Sequence, residues 1–166
     1  MTTRRPTPVA EEIQQTRPFR SSGHEAVVTL FRTMADMERY FVPKLDAEGI
    51  TPQQFNVLRI LRGAGPAGLP TLAVAERMID RAPGITRLID RLVSAELVTR
   101  DRDGLDRRQV TCRITAQGTA LLERLDPVMD HADREVVASL SPAEQRTLIR
   151  LLNVVRSGIP APQRGV

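Results

Sequence analysis

Arginines between residues 81 and 113 are the side chains of this sequence best suited to a chemical task. A guanidinium is planar and always charged, so it can hold a phosphate or a guanine edge through two hydrogen bonds. The formal net charge of +4 also favours a polyanionic partner. Arginine excess can equally reflect genomic base composition, so it does not by itself establish nucleic-acid binding. The arginines of this segment are Arg81, Arg87, Arg91, Arg100, Arg102, Arg107, Arg108 and Arg113.

The other reactive side chains do not form a recognisable enzymatic site. Cys112 is the only cysteine, and His24 and His131 are the only histidines, which is too few for a metal cluster or a disulfide framework. A Ser/His/Asp order, a phosphate-binding glycine loop and paired catalytic carboxylates are not recognisable either. We therefore predict that the protein is not an enzyme and binds no metal or cofactor.

Composition predicts one folded domain. The chain has 166 residues, of which 41% are hydrophobic and 27% charged, as is usual for globular proteins. No segment approaches the roughly 20 apolar residues of a membrane span, and the first residues lack the apolar core of a signal peptide. The expected location is the cytoplasm.

Apolar periodicity and capping residues predict helices on both sides of a short β-hairpin. Pro43 is expected to kink or fray the end of the first helix. The third helix is expected to bury Leu72, Ala73, Ala75 and Met78. The predicted elements are helices over 22–46, 52–62, 69–79 and 83–96, strands over 97–102 and 109–115, a helix from Thr115 to about residue 139, and a last helix opened by a Ser141 capping box and stopped by Gly158 and Pro160.

The domain organisation follows from these elements. A flexible arm is predicted over 1–21, a dimerisation helix over 22–50, a DNA-binding lobe over 51–115, dimerisation helices over 116–158 and a tail over 159–166. The terminal helices carry more apolar surface than one small lobe can cover, which suggests pairing between subunits. His24, Tyr40 and His131 lie on these helices, where local hydrogen bonds are favoured over effector binding.

Helix, tight turn, helix and basic hairpin is the order of a winged helix-turn-helix, in which the second helix enters the major groove. The fold class expected is therefore mainly α with a small β-hairpin wing. Cys112 lies between Val110 and Ile114 on the apolar face of one hairpin strand, where these three residues alternate with polar ones, which indicates a buried small hydrophobe and not a redox switch. Arg100 and Arg113 are expected to pair with Asp101 or with each other's neighbours across the strands.

Three segments resemble the MarR family of transcriptional regulators. They are Leu72-Ala-Val-Ala-Glu-Arg-Met78, Ile85-Thr-Arg-Leu-Ile-Asp-Arg-Leu92, and Asp106-Arg-Arg-Gln-Val110 continuing to Ile114-Thr-Ala-Gln-Gly118. The resemblance covers roughly residues 51–125, and the flanking helices match by pattern alone. It implies a winged helix-turn-helix fold and a homodimer that binds double-stranded DNA.

The same resemblance assigns the DNA contacts. The wing would send Arg108 into the minor groove, where the potential is most negative, while Asp106 orients it. Arg102 and Arg107 would lie near phosphates, and Thr71 would meet the backbone. The recognition helix would present Arg81, Ala82, Pro83, Gly84, Thr86 and Arg87 to DNA, with Arg91 beside a phosphate.

The start of the recognition helix departs from the family pattern. Ala82-Pro83-Gly84 replaces the usual small hydroxyl residues, so direct polar readout is expected to be poorer there. Apolar contacts, Arg87 and DNA shape are expected to carry more of the specificity.

The resemblance also implies a regulatory role. A repressor is expected to bind a pseudo-palindromic operator and to be released by a small anionic, often phenolic, effector. The alternative is a winged-helix factor that binds DNA or protein without small-molecule control.

Overall fold

The computed structural model describes residues 7–80, 84–102 and 110–160. Helices dominate these residues, and a small antiparallel sheet lies near the middle of the chain, as the sequence predicts. The elements are α1 (Val9–Glu12), α2 (Ser22–Asp46), α3 (Pro52–Ala64), a 3-10 turn (Gly65–Ala67), β1 (Leu69–Pro70), α4 (Thr71–Arg77), α5 (Ile85–Ser94), β2 (Val98–Arg102), β3 (Val110–Ile114), α6 (Ala116–Val136) and α7 (Pro142–Gly158).

The helix starts follow the capping residues of the sequence. Thr51 accepts a hydrogen bond from the backbone N–H of Gln54, whose side chain accepts one from the N–H of Thr51 in return. Ser141 and Glu144 form the same capping box before α7. Because each box satisfies amide donors that the first helical turn leaves free, these starts were predictable from short sequence patterns.

Pro43 does not end the first long helix. α2 continues through it to Asp46, and Leu45 in this last turn is buried. Packing of the final turn therefore offsets the loss of one backbone hydrogen bond at the proline.

The sheet has one strand more than predicted. Its order is β1-β3-β2, and β1 pairs antiparallel with β3 so that Leu69 lies opposite Cys112. The predicted third helix, 69–79, was therefore wrong at both ends, since α4 occupies only Thr71–Arg77. Pro70 explains the start, because the residue before a proline, here Leu69, is disfavoured in helical backbone, and Pro70 itself is the N-cap residue of α4.

The short helix α4 also buries a different residue from those expected. Leu72 was predicted to be in the core but is 71% exposed, whereas Val74 is fully buried. Met78, the residue after the helix, is buried as predicted. A helix of this length places only one of its side chains in the core. Because most residues of α4 are apolar, the sequence does not show which of them is buried.

The segment predicted as a flexible arm contains ordered structure. Its helix α1 packs against α2, with Val9 only 8% exposed. The carboxylate of Glu12 also lies 3.2 Å from Nε of Arg32 on α2. One buried valine and one ion pair therefore hold part of this segment against the first long helix.

The core lies where α3, α5, the sheet and the first half of α6 meet. Leu58, Leu61, Ile89, Leu92 and Leu122 are all fully buried there. Burying an aliphatic side chain of this size stabilises a fold by roughly 1.5–3 kcal/mol. The core thus joins the predicted DNA-binding lobe to the helix that leaves it.

Two glycines in helices are expected to respond oppositely to alanine. A Cβ at Gly118 would lie 2.4 Å from the carbonyl oxygen of Leu97, whereas one at Gly63 meets nothing within 4 Å. Gly118→Ala should therefore lower the free energy of unfolding by about 1–3 kcal/mol. Gly63→Ala should raise it by about 0.5–1 kcal/mol. Chemical denaturation of the two variants checks both signs, and equal effects would contradict the packing described at Gly118.

Candidate nucleic-acid interface

The helices α4 and α5 form the helix-turn-helix. The turn that leaves α4 is held by Asn56 on α3, whose side-chain oxygen accepts a 2.9 Å hydrogen bond from the N–H of Ile79. Gly84, which precedes α5, has a φ of +111°, a backbone conformation that side chains disfavour. The backbone conformation at the start of α5 therefore requires a glycine here, whether or not this residue also approaches DNA.

The helix α5 has one buried stripe and one exposed face. Ile89 and Leu92 are fully buried against the core, as the i, i+3, i+4, i+7 spacing of its apolar residues predicts. Thr86, Arg87 and Arg91 are exposed. The fold thus presents a hydroxyl and two guanidinium groups outward from a firmly packed helix.

Open clefts lie on both sides of this exposed face. One, of about 560 Å³, is lined by Met78, Arg87 and Arg91 among others. The other, of about 550 Å³, is lined by Leu72, Thr86 and Arg100 among others. Because α5 lies between two clefts, it forms a ridge on the surface. The major groove of B-DNA is roughly 12 Å wide and can admit a ridge made of one helix.

Asp90 is the one carboxylate on α5, and it is paired. Its Oδ1 lies 2.7 Å from Nη1 of Arg100 on β2, and Nη2 of the same arginine is 3.5 Å from the carbonyl oxygen of Thr86. The pairing expected for Arg100 was therefore wrong, because it reaches across to α5 and not to Asp101. Arg100 thus ties the hairpin to α5 and neutralises the charge of Asp90, which would repel phosphates if α5 enters DNA as predicted.

Arg100→Gln is expected to weaken DNA binding by about three- to tenfold, because it leaves the charge of Asp90 unpaired beside the phosphates. Adding Asp90→Asn to this variant should restore most of the lost affinity. Fluorescence anisotropy at fixed salt, with an operator selected from random DNA by the wild-type protein, measures the affinity of both variants. If the double variant binds no better than Arg100→Gln alone, Arg100 contacts DNA itself and the neutralising role fails.

The hairpin is anchored to the lobe at its base. Nη1 of Arg113 on β3 lies 2.9 Å from the Asp101 carboxylate on β2, as the cross-strand pattern predicts. Its Nε also donates to the carbonyl oxygen of Pro66 at 3.1 Å. Strands β2 and β3 pair from Val98 opposite Ile114 to Arg102 opposite Val110. This ladder and the two contacts of Arg113 hold the strands β2 and β3 against the lobe.

Six of the twelve predicted contacts fall outside the described residues, and so does the side chain of a seventh, Arg102. The six are Arg81, Ala82, Pro83, Asp106, Arg107 and Arg108. Gly84, Thr86, Arg87 and Arg91 come together on the exposed side of α5. Thr71 begins α4 beside them and is half-buried, with its hydroxyl 3.5 Å from Sγ of Cys112. Cys112 is fully buried, which confirms its prediction as a packed hydrophobe.

Three polar residues of the long helices, Tyr40, His24 and His131, contact other side chains of the same chain. The hydroxyl of Tyr40 on α2 donates to the carboxylate of Glu135 on α6, and this bond raises the pKa of Tyr40 and lowers that of Glu135. His131 lies one turn earlier on α6, with Nε2 3.5 Å from Glu135. His24 contacts Phe19 edge to face. Tyr40 and His131 thus have the side-chain partners that the sequence favours, whereas Nδ1 of His24 is buried without a hydrogen-bond partner among the described residues.

The described part of the chain carries neither a membrane-spanning helix nor a cluster of metal-ligating side chains. Within it, no helix has the length and apolar character that crossing a membrane requires. The same residues contain no group of three or more His, Cys, Asp or Glu side chains suited to hold a metal ion.

A helix-turn-helix whose second helix is an arginine-bearing ridge, followed by a two-stranded hairpin, defines a winged helix-turn-helix DNA-binding protein. The profile of the MarR family matches residues 50–110. A MarR transcription factor from Planctomyces limnophilus is 36% identical, with 82% of this chain and 99% of that chain covered and a TM-score of 0.64. The chain belongs to the MarR family, and it is a DNA-binding transcriptional regulator.

Two further proteins are similar. A putative transcriptional regulatory protein for the hcr operon of Thauera aromatica is 34% identical over 106 residues, and the match spans 63% of this chain but only 62% of that protein. BpsR of Bordetella bronchiseptica, a protein whose DNA binding is regulated by 6-hydroxynicotinic acid, is 27% identical, with 80% of this chain and 98% of that chain covered and a TM-score of 0.69.

Proposed function

We propose that this protein is a homodimeric repressor that binds a pseudo-palindromic operator and releases it when a small anionic effector binds. The observation that carries the proposal is the exposed face of α5, where Thr86, Arg87 and Arg91 stand outward between two clefts. Arginines bind guanine edges and phosphates, so this face suits one half-site in a major groove. A regulator of this kind acts on the chromosome, and we expect it in the cytoplasm.

The last helix supports the dimer. None of the residues of α7 is buried within the chain, yet Leu148, Leu151, Leu152 and Val155 follow one another at helical spacing on one side. They are 38–48% exposed in the single chain. An apolar stripe left open on a well-formed helix needs a partner, and a second copy of the chain offers the same stripe.

The first long helix adds to this surface. Val27, Phe31 and Met34 recur at i, i+4 and i+7 on α2 and are 49%, 69% and 59% exposed. Together with the stripe on α7, they form the dimerisation surface that we propose. Two copies paired through it would carry two α5 helices, and a two-fold axis between them calls for an operator with matching symmetry.

Effector control rests on the similarity to BpsR and on the family resemblance. An effector can release DNA only as far as it prefers the dimer conformation in which the two α5 helices no longer match successive grooves. The coupling is reciprocal, so DNA must weaken effector binding by the same factor. Aromatic carboxylates with a ring hydroxyl are the first candidates, because 6-hydroxynicotinic acid regulates BpsR.

A gel-shift titration tests effector control. The wild-type protein and its selected operator are titrated with 6-hydroxynicotinate and a small set of phenolic carboxylates, with benzoate as the control that lacks the hydroxyl. Release by at least one of them is expected, and calorimetry should show the same coupling factor for effector binding with and without operator. If operator binding never responds, the protein is instead a winged-helix factor without small-molecule control.

A further inference from the structure

An ion pair joins the DNA-binding lobe to the helix that leaves it. Arg62 lies in the last turn of α3, and its two terminal nitrogens contact the two carboxylate oxygens of Asp126 on α6 at 2.6 and 3.0 Å. This bidentate bond raises the pKa of Arg62 and lowers that of Asp126, so both groups are charged at neutral pH. A pair held by two parallel hydrogen bonds fixes direction as well as distance.

Asp126 lies at the weakest point of α6. Pro127 follows it inside the helix and has no N–H to donate to the carbonyl of Glu123, one turn earlier. Helices bend at such positions, because the ring also pushes against that carbonyl. The contact with Arg62 is therefore made where α6 can most readily change direction.

The contacts of α6 change along its length. Before Pro127, Leu121, Leu122 and Leu125 are buried in the core of the lobe, and Met129, just after it, still belongs to this core. Further along, the helix meets the first long helix, where Glu135 accepts the hydrogen bond of Tyr40. A bend at Pro127 therefore changes the angle between the lobe and the helices that we propose to form the dimer.

We propose that the Arg62–Asp126 pair sets the half-site spacing that the dimer accepts, by holding the angle of α6 at Pro127. This inference rests on the proposed dimer. In a two-fold dimer the same angle occurs twice and determines the separation of the two α5 helices. One base pair changes the separation of half-sites by about 3.4 Å and also rotates them around the DNA axis. Without the pair, the lobes rotate more freely and tolerate wrong spacings.

The exposure of the pair fits this role better than a role in stability. The two side chains are 33% and 36% exposed, and ion pairs of such exposure add little to the free energy of unfolding. Arg62→Gln and Asp126→Asn should therefore fold and dimerise as the wild type does. Arg59→Gln is the matched control, because Arg59 is an exposed arginine one turn earlier on the same helix whose charge also lowers the pKa of Asp126, while the two hydrogen bonds to that carboxylate come from Arg62.

The experiment measures spacing discrimination. Wild-type protein is first used to select its operator, and variants of that operator are then made with the half-sites moved by one and two base pairs in each direction, together with a single half-site. The ratio of dissociation constants between shifted and selected operators is measured for wild type, Arg62→Gln, Asp126→Asn and Arg59→Gln. The double exchange Arg62→Asp with Asp126→Arg tests whether the pair itself matters.

The two broken-pair variants should lose about five- to tenfold in discrimination against operators shifted by one base pair, while Arg59→Gln keeps the wild-type ratio. Binding to the single half-site should stay within about twofold of wild type, and the double exchange should recover at least half of the lost discrimination. Unchanged ratios in Arg62→Gln and Asp126→Asn would overturn this inference alone. A wild-type protein without any spacing preference would overturn the proposed dimeric function as well.

Discussion

Leu151→Asp is expected to convert the dimer into monomers and to lower operator affinity at least about 100-fold. Leu151 lies in the middle of the open stripe of α7 and is 47% exposed in the single chain. A carboxylate there would lose its water in the dimer interface without a partner, which costs several kcal/mol. Separate lobes each bind one half-site and lose the gain from binding two at once.

Asn153→Asp is the matched control for this substitution. It adds the same charge to the same helix, about 160° around the axis from Leu151 at the helical period of 3.6 residues. Light scattering should find a dimer for the control and a monomer for Leu151→Asp, and circular dichroism should find equal helix content. A dimeric Leu151→Asp would show that α7 does not form the interface.

Arg87→Ala is expected to lower affinity for the selected operator by at least about 30-fold, because a good base contact is worth roughly 1–3 kcal/mol and one is lost in each of the two half-sites. Arg87 is exposed on the outward face of α5, and Thr86 and Arg91 share that face. Binding to unrelated DNA should change much less, because a base contact contributes to specificity more than to general attraction.

Arg91→Ala provides the comparison within the same helix. If Arg91 lies near a phosphate, its loss should weaken binding to all sequences alike and lower the slope of log affinity against log salt by about 2, one for each subunit of the dimer. Anisotropy titrations with operator and unrelated DNA at several salt concentrations separate the two arginines. Equal losses of specificity in both variants would contradict the division of roles, and no loss in Arg87→Ala would remove it from the site.

Local patterns explain why much of the fold could be predicted. Capping boxes at Thr51 and Ser141 act within four residues, and the apolar stripe of α5 repeats within a few turns, so neither depends on distant parts of the chain. The strand β1 could not be found in this way, because its two residues become a strand only by pairing with β3, about forty residues later. Pro70 was the one local signal against a helix starting at residue 69.

In the candidate site too, features set by local periodicity could be predicted, and features set by tertiary packing could not. The outward face of α5 follows from helical periodicity, so Thr86, Arg87 and Arg91 could be placed from the sequence. The partners of charged residues could not be predicted in this way. Arg100 has acids nearby in sequence but pairs with Asp90, and these two residues are close only because the hairpin packs on α5. Arg62 and Asp126 are 64 residues apart, so no local pattern connects them.

Selection of bound fragments from random DNA, followed by sequencing, tests whether this chain binds a specific sequence by placing α5 in two grooves. We expect an enriched pseudo-palindrome whose half-sites are centred about one helical turn, roughly 10–10.5 base pairs, apart. The enrichment should be lost in Arg87→Ala. Enrichment of a single unpaired site, or of no sequence at all, would contradict this mode of binding.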